Sequence, residues 1–70
     1  MTMNRYEFQF HDLREAGAFT CATVLAGTSR VMQFGLDVVV ETADLQFEVY
    51  VWEWARELGG TVVGYERVAA

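Results

Sequence analysis

The chain has 70 residues, of which ten are Asp or Glu and five are Arg, so its net charge is −5 at neutral pH and its pI is about 4.5. This acidic balance repels phosphate backbones and argues against direct DNA or RNA binding. The length fits a single domain, residues 1–70, with one core. A hydrophobic content of 53 % argues against disorder and favours self-association, so we expect a homodimer.

The residue types leave little room for chemistry. A single cysteine, Cys21, excludes an intramolecular disulfide and a cysteine-based zinc site, and it fits a reducing compartment, so we expect a cytoplasmic protein. The chain lacks an apolar run of about 18 residues, which predicts no membrane span, and its first residues lack the order of a signal peptide. Phosphate-binding glycine patterns and nucleophile motifs are absent, so we predict no catalytic, cofactor-binding or metal-binding residues.

The first two elements are a strand and a helix. Residues 4–11 alternate strictly, with Tyr6, Phe8 and Phe10 on one side and polar residues on the other, which predicts a half-buried strand. Asp12 is a typical N-cap, so a helix follows it. Residues 18–25 also suit a strand because they include Thr, Cys, Val and Phe. The N-cap at Asp12 favours the helix over this strand.

One face of this helix is apolar, and we expect it to pack on the sheet. Its burial would keep the Cys21 thiol inert. Gly27 is expected to end the helix. The face consists of Leu13, Gly17, Cys21, Val24 and Leu25, with Ala16 and Thr20 beside it.

Residues 30–51 predict an antiparallel hairpin. Residues 30–40 alternate, with Gly35 marking a bulge or a bend that could split the run. Residues 41–44 are polar and typical of a turn, and residues 45–51 alternate again. The apolar side of the first of these strands is expected to hold Met32, Phe34, Leu36, Val38 and Val40.

An alternative places residues 44–58 in one helix, because several apolar residues of this segment share a helical stripe. Its β-branched residues before Val51, and the position of Glu48 near that stripe, argue against it. We therefore place the change from strand to helix near Val51, within about three residues, and the end of the helix at Gly59 and Gly60. The stripe consists of Phe47, Val51, Trp54, Ala55 and Leu58.

A last strand is predicted over residues 61–68, with Val63 and Tyr65 on one face and Val62 and Gly64 on the other. The order β-α-β-β-α-β matches the ferredoxin-like, or split βαβ, arrangement, an α+β fold with a four-stranded antiparallel sheet and both helices on one face. Many unrelated functions share this arrangement. The uncovered face is expected to carry Arg5, Glu7, Gln9, Gln33, Asp37, Gln46, Glu48 and Tyr50.

RNA-recognition domains of this topology stack bases on aromatic residues of the uncovered face. Here that face of the first strand holds Glu and Gln, which again predicts no direct nucleic-acid binding. Glu7, His11 and Glu48 could meet there to bind a metal or to transfer protons. Solvation of an open sheet face is the simpler interpretation of these three residues.

The tryptophan pair gives the clearest functional hint. Two residues apart on a helix, Trp52 and Trp54 point about 200° apart, so they cannot both face one core. Exposed tryptophans are favoured anchors at protein interfaces. The predicted protein-binding site consists of Trp52, Trp54, Glu53, Glu57, Glu48, Tyr50 and Asp44.

These features favour a small acidic, non-enzymatic module that binds another protein. A more specific hypothesis is a phage-type inhibitor, such as an anti-CRISPR protein or another nucleic-acid mimic, whose partner has a basic nucleic-acid-binding groove. One alternative is a small isomerase or monooxygenase with Tyr6, His11 and Tyr50 around a pocket between sheet and helices. Another is a ligand-sensing dimer with a site at residues 27–29.

Overall fold

The computed structural model describes residues 2–26, 30–43 and 45–69. Its four strands form one antiparallel sheet in the order β2-β3-β1-β4, and its two helices pack on one face of that sheet. The predicted α+β, ferredoxin-like fold is therefore confirmed. The elements are β1 (Thr2–Gln9), α1 (Leu13–Ala26), β2 (Arg30–Phe34), β3 (Asp37–Thr42), α2 (Leu45–Glu57) and β4 (Thr61–Ala69).

The core is built on the central strand β1. Tyr6, Phe8 and Phe10 are buried on the helix-covered face, as their alternation predicts. Phe19 of α1 lies between the last two, with ring centroids 5.1 Å from Phe8 and 5.1 Å from Phe10. Each such aromatic residue contributes roughly 1.5–3 kcal/mol by burial. Val51 and other apolar side chains from both helices and β3 complete a single cluster.

The start of α1 agrees with the prediction, since the Asp12 carboxylate accepts a hydrogen bond of 2.8 Å from the Glu15 amide. The predicted buried face is wrong. The core instead takes Phe19 and Thr23, together with Ala16 from beside the predicted face, because Phe19 supplies the bulk that fills the space above β1. The buried Thr23 hydroxyl donates to the Phe19 carbonyl at 2.7 Å, so its burial leaves no unpaired donor.

The predicted face of α1 points away from the core. Cys21 is exposed rather than packed in the interior. The predicted helix end at Gly27 lies outside the described residues. We call these five residues, Leu13, Gly17, Cys21, Val24 and Leu25, the outer face of α1.

The hairpin lies earlier in the chain than predicted. The run over 30–40 is two strands, since the chain turns at Gly35 and Leu36 between β2 and β3. Gly35 has φ of +63°, as a two-residue type II′ turn requires at its first central position. The turn interrupts the alternation of faces along the chain. As a result, Met32 and Phe34 face the uncovered side of the sheet while Val38 faces the core. Residues 41 and 42, predicted as turn, belong to β3.

The predicted strand over 45–51 is also wrong, because α2 already begins at Leu45. The longer-helix alternative is the better interpretation. Glu48, which argued against it, does lie beside the apolar stripe, but Asn4 of β1 donates a hydrogen bond to its carboxylate. A partner on a distant strand removes the cost of placing that carboxylate near the core.

The end of α2 agrees with the prediction. Gly59 has φ of +81°, and its amide donates to the Arg56 carbonyl while the Gly60 amide donates to the Ala55 carbonyl at 2.6 Å. These are the two bonds of a Schellman motif. The glycine pair therefore ends the helix and directs the chain into β4.

A β-bulge changes which side chains of β4 face the helices, so the faces differ from those predicted. The register against β1 shifts between Glu7 and Phe8, so Val62 and Tyr65 both lie on the helix-covered face, opposite Phe8 and Tyr6. The prediction placed Val62 and Tyr65 on different faces because it assumed unbroken alternation.

Four charged residues, one on each strand, cross the uncovered face of the sheet in the order of the strands. The guanidinium of Arg5 lies 2.7 Å from the Glu41 carboxylate and 3.7 Å from that of Glu66, and Arg30 lies 3.8 Å from Glu41. The Glu41 carboxylate raises the pKa of Arg5 above its ordinary value. We call the row Arg30, Glu41, Arg5 and Glu66 the charge ladder.

The set of residues predicted to lie on the uncovered face is right in part. The β1 residues and Asp37 lie there. Gln33 pairs with the buried Val38 and so belongs to the other side. Gln46, Glu48 and Tyr50 lie in α2.

Two glycines allow a matched test of packing. A Cβ added at Gly60 would lie 2.5 Å from a ring carbon of Phe10, whereas one added at Gly17 of α1 meets nothing within 4 Å. We expect Gly60→Ala to lower the free energy of unfolding by about 1–3 kcal/mol through overpacking. Gly17→Ala should raise it by about 0.5–1 kcal/mol through helix propensity. Urea unfolding in dilute solution measures both, and equal effects would contradict the described packing.

Candidate functional site

The two tryptophans lie on opposite flanks of α2, as their spacing on a helix requires. Trp52 is 43 % exposed and makes edge contacts with Tyr6 and Phe8, at centroid distances of 5.6 and 6.1 Å. Trp54 is partly buried against the core and stacks on Tyr50 at 6.2 Å. Neither indole is fully buried, and Trp52 is the one held by the sheet with much of its surface in solvent.

A hydrogen-bond network supports the flank that carries Trp52. The Asn4 amide donates to the Glu48 carboxylate at 3.2 Å, and the Tyr65 hydroxyl donates to the Asn4 side-chain oxygen at 3.1 Å. The buried Tyr6 hydroxyl interacts with the same Glu48 carboxylate and with the Trp52 indole. Three elements, β1, β4 and α2, thus fix the orientation of one carboxylate and one indole.

The interior position of Tyr6 changes its acidity. Burial of its hydroxyl raises the pKa of Tyr6 well above its ordinary value of 10.0, and the hydrogen bond to the Glu48 carboxylate raises it further. Tyr6 therefore remains a neutral hydrogen-bond donor at physiological pH.

Two open concavities border Trp52. One of about 330 Å³ is lined by Glu48, Val49, Trp52, Glu53 and Arg56. The other, of about 270 Å³, is lined by Phe8, Trp52, Ala55, Arg56, Gly60, Thr61 and Val62. The first concavity lies along α2 and the second lies between α2 and the start of β4, and Trp52 and Arg56 line both. We call the two concavities together the Trp52 groove.

The groove gathers part of the predicted protein-binding site. Glu48, Trp52 and Glu53 line it. Tyr50 and Trp54 lie together on the other flank of α2, and Glu57 is exposed without lining either concavity. Asp44 lies outside the described residues.

Sequence reasoning missed other members of the site. Val49 and Arg56 sit three residues before and four residues after Trp52, so a helix beginning at Leu45 would have placed them beside it. The support from Asn4 carried no local signal, because Asn4 is 44 positions away from Glu48 in the chain.

The groups expected for an enzyme lie in three places. Tyr6 is buried beneath Trp52, His11 lies near Gly59, and Tyr50 packs on Trp54. Glu7 is on the uncovered face of the sheet while Glu48 is on the helix side, so the cluster that they could have formed with His11 is not present. Within residues 2–26, 30–43 and 45–69, no group of three or more His, Cys, Asp or Glu side chains is arranged to hold a metal ion. The ligand site predicted at residues 27–29 lies outside the described residues.

Comparison of the chain with models of known protein families, with characterised proteins and with solved structures gives no match. None of the helices among the described residues has the length and apolar character needed to cross a membrane.

The raised pKa of Tyr6 predicts a loss of stability in alkali. Above pH 10 the unfolded chain releases the Tyr6 proton while the folded chain retains it, so unfolding becomes easier as pH rises. This single group contributes a slope of at most about 1.4 kcal/mol per pH unit. Tyr6→Phe should remove that contribution and flatten the dependence between about pH 9 and pH 11.

Urea unfolding over that range is the measurement, and Tyr50→Phe, at an exposed tyrosine, is the matched control. The control should keep the slope of the wild type. A Tyr6→Phe variant with the same slope as the control would contradict the assigned hydrogen bond and burial.

Proposed function

We propose that this protein is a small, non-enzymatic module that binds another protein by holding a basic segment of it in the Trp52 groove. The observation that carries the proposal is the position of Trp52. The indole is held against Tyr6 and Phe8, remains 43 % exposed, and lies beside the carboxylates of Glu48 and Glu53 in the same concavity.

A fixed, exposed indole suits an anchor role. Tryptophan is enriched among the residues that dominate binding energy, and an anchor that is ordered before binding loses little entropy on association. The contacts with Tyr6 and Phe8 provide that order. The adjoining concavity of about 330 Å³ is large enough to take one or two partner side chains.

The charges of the groove indicate the sign of the partner. Glu48 and Glu53 contribute two carboxylates against the single guanidinium of Arg56, and the whole chain carries −5. An Arg or Lys side chain gains from a carboxylate and from the face of an indole together. The Arg56 guanidinium would donate hydrogen bonds to a carbonyl or carboxylate oxygen elsewhere on the same partner segment.

The more specific hypothesis, a phage-type inhibitor such as an anti-CRISPR protein or another nucleic-acid mimic, rests on the carboxylates of α2. Glu48, Glu53 and Glu57 present negative charge from one helix, as a phosphate backbone does. A mimic shares its site on the partner with nucleic acid. Competition between this protein and DNA or RNA for the isolated partner therefore separates mimicry from binding elsewhere on the partner.

Two glutamates of α2 make a charge-matched pair of variants. Glu53→Gln and Glu57→Gln each remove one charge from the same helix, but only Glu53 lines the groove. With a partner isolated by pull-down and identified by mass spectrometry, we expect Glu53→Gln to weaken affinity about tenfold, as the loss of a charged hydrogen bond does. Glu57→Gln should change it little, and added salt should weaken binding by the wild type.

Trp52→Ala should cost about 30-fold or more in affinity. Circular dichroism must show that this variant is folded, since Trp52 also contacts the core. Equal losses for Glu53→Gln and Glu57→Gln would mean that net charge alone attracts the partner. Affinity indifferent to salt and to Trp52→Ala would show that the groove is not the binding site.

A further inference from the structure

The outer face of α1 exposes large apolar side chains. Leu25 is 86 % exposed, Leu13 63 % and Val24 54 %, and the Cys21 thiol lies between them in solvent. An apolar group of this kind, continuous along a helix, marks an interaction surface more often than ordinary solvent-facing surface. It lies on the side of the helix opposite Phe19, so it takes no part in the core.

This face carries no carboxylate, in a protein that is otherwise acidic; Arg14, seven residues before Cys21, lies on the same side of the helix. Residues 16–26 contain no charged side chain, and the charges of α1, Arg14 and Glu15, lie in its first turn. A basic partner finds carboxylates on α2 rather than here. For two copies that each carry −5, contact through a surface without carboxylates keeps their repulsion small.

The order of residue sizes along the face is self-complementary. Small residues, Gly17 and Cys21, lie near the middle of the helix, and large ones lie towards its two ends. An antiparallel pair of these helices around a two-fold axis places Gly17 of each copy opposite Cys21 of the other. Leu13 of each copy then lies opposite Leu25 of the other. Small residues at the centre let the two backbones approach, and a two-fold axis uses the same patch twice.

We propose that a second copy of this chain covers the outer face of α1, so that the protein associates as a two-fold dimer through an antiparallel α1 pair. The dimer leaves the Trp52 groove open. α1 packs against β2, at one edge of the sheet, whereas the groove borders β4 at the other edge. Dimer formation through α1 and partner binding in the Trp52 groove can therefore be measured independently of each other.

Sedimentation velocity over a concentration series tests the proposal with a matched pair of variants. Val24 and Val63 are 54 % and 51 % exposed, on α1 and β4 respectively, so neither change removes core packing. The wild type and Val63→Glu should rise with concentration from the monomer mass of 7.9 kDa to twice that value. Val24→Glu should remain at the monomer mass.

Two further measurements identify the contact. A short bismaleimide should link the native Cys21 thiols of two wild-type chains and should fail with Val24→Glu. Added salt should strengthen the dimer, because it screens the repulsion of two acidic chains. Salt should weaken the binding of a basic partner in the Trp52 groove, so the two interactions respond in opposite directions.

The proposal is overturned if the wild type is a monomer throughout, or if Val24→Glu and Val63→Glu lose association equally. It is also overturned if the wild type stays monomeric but binds phosphatidylcholine vesicles through Val24, which would assign the face to a lipid surface.

Discussion

The row of Tyr6 and Phe8 on β1 and Phe10 just after it is the constraint on which the rest of the structure depends. β1 is central in the sheet, pairs with both β3 and β4, and turns all three rings towards the helices. α1 places Phe19 between two of the rings, and α2 places Trp52 against the other side of the row. The position of the exposed indole in the groove thus follows from the same packing that holds the sheet and helices together.

The elements with a strong local signal could be predicted from the sequence. The alternation of β1, the Asp12 cap and the Gly59–Gly60 stop each depend on neighbours in the chain, and the element order gave the fold class. The boundary between β3 and α2 depends on a distant contact. Glu48 counted against a helix because its partner, Asn4, lies on another strand. The groove was only partly predictable for the same reason, since its members follow from the true start of α2.

The buried face of α1 shows a second limit of pattern reading. Two stripes of this helix satisfy the periodicity of an amphipathic helix, one with three large aliphatic residues and one with Phe19. Periodicity alone does not rank them. The shape of the core determines which stripe is buried, because the gap between Phe8 and Phe10 accommodates the aromatic ring of Phe19. The rejected stripe remains apolar and in solvent, where it is available for contact with another molecule.

The charge ladder also discriminates against misaligned strands. A slip of two residues between β1 and β3 would keep every aromatic side chain on the covered face, so the core alone resists it weakly. In the native register Arg5 lies opposite Glu41. A slip in one direction would bring Glu7 opposite Asp37, and a slip in the other would bring Glu7 opposite Glu41. Like charges directly opposite one another destabilise a sheet, so either slip replaces an attraction with a repulsion.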